Sequence, residues 1–227
     1  MSLAPELIED ELDLIRRTIP LSGAVLLDLG CGDGAMARRL AAEGARVTGV
    51  EVDAAAVARA GTQIDLIEAR AEDLPFPAAS FDAVLMLKSL HHVPVALMPQ
   101  ALAEVARVLR PGGLLFCWEP VYAGALNDIM RLFHDEQAER RAALAALHDV
   151  IADGALDFVD ERVFRTRMSF AGFEDFQRRM LHLPTLRQKV DGDLLDAVHT
   201  AWNKLGEPRG GKFERLMRLT LAEKPLD

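Results

Sequence analysis

The chain has 227 residues, half of them hydrophobic, and a formal net charge of −9. That size and apolar content suit a single α/β domain, residues 1–227, while the acidic balance works against phosphate backbones, which require clustered Lys and Arg. Only Cys31 and Cys117 are present and no Cys/His set has ligand spacing, so neither a disulfide framework nor a metal is expected, and nucleic acid is not expected as a partner.

Leu3, Leu7, Leu12, Leu14 and Ile15 predict an N-terminal helix within residues 1–20, ending before Pro20. The opening stretch is acidic and amphipathic rather than signal-like, and no apolar run approaches the roughly 20 residues that cross a bilayer. A cytoplasmic protein without a membrane partner is the expectation.

VLLDLGCGDG, Val25 to Gly34, joins an apolar run of strand length to a glycine-rich turn, and AMARRLAAEG continues with helical periodicity to Gly44. Glycine suits such a turn because a side chain would block both positive φ values and the approach of a ligand to the backbone. Strand, turn and helix in that order point to a nucleoside cofactor.

ARVTGVEVD then supplies a second strand near Arg46 to Val50, AAAVARA a short helix capped by Asp53, and IDLIEA a third strand near Ile64 to Ala69. Phe81 to Lys88 is an apolar fourth strand. LMPQALAEVARVL is a helix with Pro99 near its first turn, stopped by Pro111, Gly112 and Gly113. LLFCWEP is the fifth strand, and this alternation argues for a mainly parallel sheet with helices on both faces. Residues 121–163 are mainly helical and read as an inserted lid. FRTRMSFAGFEDFQRRML and KFERLMRLTLAEKP carry strand-like parts.

The glycines leave two cofactor classes open, since Gly30, Gly32 and Ala35 also satisfy the dinucleotide pattern G-x-G-x-x-G/A. Asp28 tips the balance: a pyrophosphate gains nothing from a carboxylate there, whereas a cationic ligand does. Glu51 ends the second strand about 20 residues after Gly30, the spacing at which α/β nucleotide folds put an acid on ribose hydroxyls.

On these residues the sequence resembles the class I S-adenosylmethionine-dependent methyltransferases, particularly the small-molecule type 11 branch, whose first motif is D-L-G-C-G-D-G, here Asp28 to Gly34. The resemblance implies a Rossmann-like sheet of seven strands, the last antiparallel. It implies that Gly30, Cys31 and Gly32 wrap the methionine part of S-adenosylmethionine, that Glu51 grips the ribose, that Val52 is a further cofactor contact, and that Leu87 offers backbone contacts. ARAEDLPF resembles the family's adenine segment, which sets Ala71 and Glu72 beside the ring. Arg70 departs from it: the family commonly has Asp or Asn there, and Arg accepts no hydrogen bond. Glu72, Asp73 or a backbone carbonyl are the candidates to replace that contact.

The implied reaction moves a methyl group to a small organic acceptor and leaves S-adenosylhomocysteine. His91 and His92, in the stretch KSLHHVP, are the candidate general bases, matching the family's L-H-H-V. A non-catalytic cofactor binder, favoured by Arg70, and a nicotinamide-dependent oxidoreductase stay open as alternatives. Monomer and homodimer are both compatible with the pattern, and O-, N- and C-methylation are not separated by any residue.

Overall fold

The computed structural model describes residues 4–60, 64–183, 186 and 188–226. Its centre is β2 (Val25–Leu29), in which every residue from Leu26 to Leu29 is buried. A strand covered on both faces needs a largely apolar run, which Asp28 alone interrupts here. β2 pairs in parallel with β3 (Arg46–Glu51) on one side and with β5 (Phe81–Leu87) on the other. β3 pairs in parallel with β4 (Asp65–Glu68), and β5 with β6 (Leu109–Pro120).

Helices carry the chain between these strands: α1 (Glu11–Arg16) before β2, α2 (Ala35–Ala42), α3 (Ala54–Ala60) and α4 (Met98–Val108). On α4 the buried set Met98, Leu102, Val105 and Ala106 follows helical spacing and enters the core with Val84, Met86 and Leu115 of the strands. After β6 come α5 (Ala125–Met130), α6 (Gln137–Ala152), β7 (Asp157–Ser169), α7 (Phe173–Met180), α8 (Gly192–Leu205) and β8 (Lys212–Glu223). Together with β1 (Leu7–Ile8) the strands form one eight-stranded sheet, ordered β1-β7-β8-β6-β5-β2-β3-β4. β8 runs antiparallel to β6, because Gly112 N–H donates to the Lys224 carbonyl (2.9 Å) while Lys224 N–H donates to that of Gly113 (2.8 Å).

The chain divides into two compact units. One holds Asp10–Glu119, Glu139–Arg162 and Arg218–Asp227, with the core just described. The other holds the residues up to Glu9, Pro120–Ala138 and Val163–Met217, with an aromatic core of Phe133, Phe170, Phe176, Trp202 and Phe213. Phe176 and Trp202 lie 5.1 Å apart between ring centroids.

The mainly parallel sheet with an antiparallel last strand is as expected, with three differences of detail. The sheet has eight strands rather than seven, because Leu7 and Ile8 pair with Arg165 and Thr166 of β7. The N-terminal helix is correspondingly short, starting at Glu11 where Asp10 caps it by accepting the Leu12 N–H at 3.0 Å; Leu3 lies outside the described residues. Within 121–163, β7 already begins at Asp157, and α6 buries Ala143, Ala146 and Leu147 in the same core as α4, so that helix packs as part of the fold. Among the described residues no helix is long and apolar enough to cross a membrane.

Candidate functional site

The carboxyl ends of β2, β3, β4 and β5 surround a cleft. β2 delivers the chain into a turn in which Gly30, Gly32 and Gly34 have φ of +79°, +58° and +74°, a conformation that costs a side chain about 1–2 kcal/mol. Gly30 is further constrained by contact: an added Cβ would sit 2.4 Å from Ser89 Cβ, and the Ser89 hydroxyl donates to the Leu29 carbonyl at 2.6 Å. Gly32 differs, since a Cβ there meets nothing within 4 Å. One glycine permits packing and the other leaves space.

Glu51, at the end of β3, braces this turn. Its carboxylate accepts the Gly32 N–H at 2.8 Å, its neighbour Val52 N–H at 2.8 Å and Asp53 N–H at 3.1 Å. A carboxylate has about four lone-pair sites, so it keeps capacity for a further donor.

Asp28 is 2% exposed, and its Oδ2 has no hydrogen-bond partner. Burial pushes its carboxyl up to about 7; the Glu51 charge adds to that shift and Lys88 opposes it. A buried acid without a partner is costly unless a cation or donor comes to meet it. Cys31 is also shielded, lying against Gly49, where an added Cβ would come within 2.7 Å of its sulfur. Its thiol is pushed up to about 12 by burial first and then by Asp28 and Glu51, so it is packing rather than a nucleophile.

Of the expected site residues, Gly30, Glu51, Val52, Ala71, Glu72 and His92 line the cleft together, whereas Asp28, Cys31, Gly32, Leu87 and His91 do not. Arg70 lines it too, with its guanidinium 3.6 Å from the largely buried Glu72 carboxylate, whose backbone carbonyl is fixed by Gln100 Nε2 at 2.9 Å. The two histidines share a 3-10 turn, Leu90–His92, but have opposite surroundings. His91 is buried with Nδ1 against the Glu119 carboxylate, which also accepts the Leu90 N–H at 2.9 Å. His92 is exposed to the cleft, its ring 4.1 Å from that of His91. Direct proton exchange with a cleft ligand is therefore open to His92 and closed to His91.

Lys88, the last residue of the expected fourth strand, is the cleft residue that sequence reasoning did not single out. It lines the cleft in the left-handed region (φ +63°), with Nζ 3.0 and 3.2 Å from the two Glu11 oxygens and 5.6 Å from the Trp118 ring centre. A non-glycine residue at positive φ costs energy that only its surroundings return, but no sequence pattern announces it.

A glycine turn, a strand-end acid and a cleft at the carboxyl ends of a parallel sheet together resemble the arrangement of nucleoside-binding α/β folds. Residues 27–117 match the family described as methyltransferase domain. It is 40% identical over 114 residues to a ubiquinone biosynthesis O-methyltransferase of Xylella fastidiosa, an alignment covering 46% of this chain and 45% of that protein. It is 38% identical over 135 residues to the 27-O-demethylrifamycin SV methyltransferase of Amycolatopsis mediterranei, covering 53% and 49%. The chain thus spans about half the length of the curated relatives it matches. Among solved structures, a SAM-dependent methyltransferase from Methanosarcina mazei superposes with a TM-score of 0.62 at 18% identity, covering 97% of this chain and 100% of that one; this likeness bears on the fold.

Proposed function

We propose that the chain is an S-adenosylmethionine-dependent methyltransferase acting on a small organic acceptor, with S-adenosylhomocysteine as product. The observation that carries this reading is the buried Asp28 carboxyl with its unpartnered Oδ2, set behind a glycine turn that Glu51 braces and Gly32 leaves open. These groups fit the cofactor: a carboxyl for an ammonium network, a strand-end acid for ribose hydroxyls, and room beside the backbone.

The bound cofactor supplies a methyl group already activated on a sulfonium. The protein's part is alignment and exclusion of water. Gly30 to Gly34 hold the methionine part, Leu87 adds backbone contact, Glu51 takes the ribose, and Val52, Ala71 and Glu72 border adenine. Where the acceptor is a hydroxyl or ammonium, His92 accepts its proton, and His91, held by Glu119, positions that ring. The two relatives are named for O-methyl chemistry, which favours an oxygen acceptor.

The dinucleotide alternative fits less well, because the Gly32 N–H is already bonded to Glu51 and the Ala35 N–H to Asp33 (3.0 Å). A pyrophosphate at the start of α2 would meet carboxylates where it needs amides. Our reading includes cytoplasmic location, a monomer or homodimer, and no nucleic-acid partner.

The test is thermal unfolding with S-adenosylhomocysteine, S-adenosylmethionine and the nicotinamide dinucleotides in parallel. A ligand at 100 times its Kd adds about 2.7 kcal/mol. Selective stabilisation by the adenosyl sulfur compounds is expected; a shift with dinucleotides alone, or with none, overturns the assignment.

A further inference from the structure

The second unit contains a groove of about 910 Å³ at the carboxyl end of β7 and the start of β8, and its polar rim is basic in a chain of net charge −9. Arg167, Arg209 and Lys212 reach it, above Phe213 and Met168. Neither Arg209 nor Lys212 has a carboxylate within ion-pair distance among the described residues. The acid nearest to Arg209 in sequence, Glu207, is engaged elsewhere, accepting from the Trp202 indole N–H at 2.7 Å. The one acid in the lining, Glu214, is held by Arg165 at 2.7 Å, and Arg167 is paired with Glu9. Among the described residues, two cations are thus left without a counter-charge beside Phe213 and Met168.

Their frame is fixed rather than loose. The Arg209 guanidinium donates to the Leu205 carbonyl at 2.7 Å, which orients it and leaves its remaining N–H groups for another acceptor. The turn after it is tied by Gly210 N–H to the Glu207 carbonyl (2.9 Å) and Gly211 N–H to that of Gly206 (3.1 Å). At Gly211 an added Cβ would lie 2.1 Å from the Phe170 carbonyl oxygen, so only glycine lets β8 start this close to β7 and turn Lys212 into the rim. Preorganised cations of this kind suit a planar or tetrahedral oxyanion.

We propose that this groove binds a small organic anion, a carboxylate or phosphate ester on an apolar body, with the charged group between Arg209 and Lys212 and the apolar part against Phe213 and Met168. The binding needs no cofactor and stands or falls independently of the methyltransferase reading.

The experiment is calorimetric titration of the full chain at low ionic strength with phenyl phosphate, against inorganic phosphate and benzyl alcohol. Phenyl phosphate is expected to bind more tightly than either half alone. The Arg209→Ala/Lys212→Ala double variant is expected to weaken it at least tenfold, with thermal unfolding confirming the fold. Arg178→Ala, an exposed arginine paired with Asp175 outside the groove, serves as control and should leave binding unchanged. Absence of binding, equal loss in the control, or a double variant that folds and binds normally overturns the proposal.

Discussion

Asp28→Asn offers a quantitative test of the buried carboxyl. An ordinary aspartate ionises near 3.8, whereas Asp28 is pushed up to about 7 in the fold, chiefly by burial. Between those values the folded chain keeps a proton that the unfolded chain has released, so stability falls as pH rises through the window. The loss saturates once the folded carboxyl ionises as well. Three pKa units at about 1.4 kcal/mol each make the penalty on the order of 4 kcal/mol above pH 7. Asparagine resembles the neutral acid and carries no such pH dependence. Denaturant unfolding of wild type and variant from pH 4.5 to 8.5 should therefore give curves that diverge upward in favour of the variant, flattening near pH 8. Saturating S-adenosylhomocysteine, whose ammonium favours the ionised acid, should narrow the gap. Parallel pH profiles would refute the argument, whatever constant offset the substitution introduces.

Under the proposed ribose role, Glu51→Gln removes a charged acceptor from the ribose as well as from the Gly32 N–H; losing about 1.5–3 kcal/mol, it should weaken S-adenosylhomocysteine roughly 10- to 150-fold by calorimetry. The two turn glycines should separate by readout. Gly30→Ala strikes Ser89 and should lower unfolding stability by about 1–3 kcal/mol, seen as a reduced melting temperature without ligand. Gly32→Val fills open space and should abolish cofactor binding out of proportion to its effect on melting; retained affinity would contradict a ligand against that backbone. Glu119→Gln should loosen the turn carrying His92 and move the acidic limb of the pH–rate profile, whereas an unchanged profile would mean that His91 and Glu119 serve structure alone.

What could be read from the sequence was whatever depends on local pattern. The run from Val25 to Leu29 and the glycines after it specify a buried strand and a turn without help from elsewhere, and the β/α alternation then orders the sheet. What escaped depends on distant partners. Leu7 and Ile8 are too few to show strand periodicity and become a strand because Arg165 and Thr166 offer an edge. The alanines of α6 look like a surface helix until Leu156 and Ala222 close over the same core. Adjacent His91 and His92 are equivalent as letters, yet a 3-10 turn sends one to Glu119 and the other to the cleft. Lys88 carries no mark of its positive backbone angle or of its partner Glu11, 77 residues away.

The way the chain is threaded sets a limit on dissection. It passes between its two units at Glu9/Asp10, Glu119/Pro120, Ala138/Glu139, Arg162/Val163 and Met217/Arg218, so neither unit is a contiguous piece that a protease or a cloning boundary can release intact. The family-matched stretch, residues 27–117, would leave behind Ala143, Leu147, Leu156 and Ala222, all of them members of the core that holds β5 and α4. Expressed alone, that stretch would expose an apolar face where α6 and β8 belong and would aggregate rather than report on the cofactor cleft. Homology here marks the region of shared ancestry, while the unit that folds extends almost to the last residue.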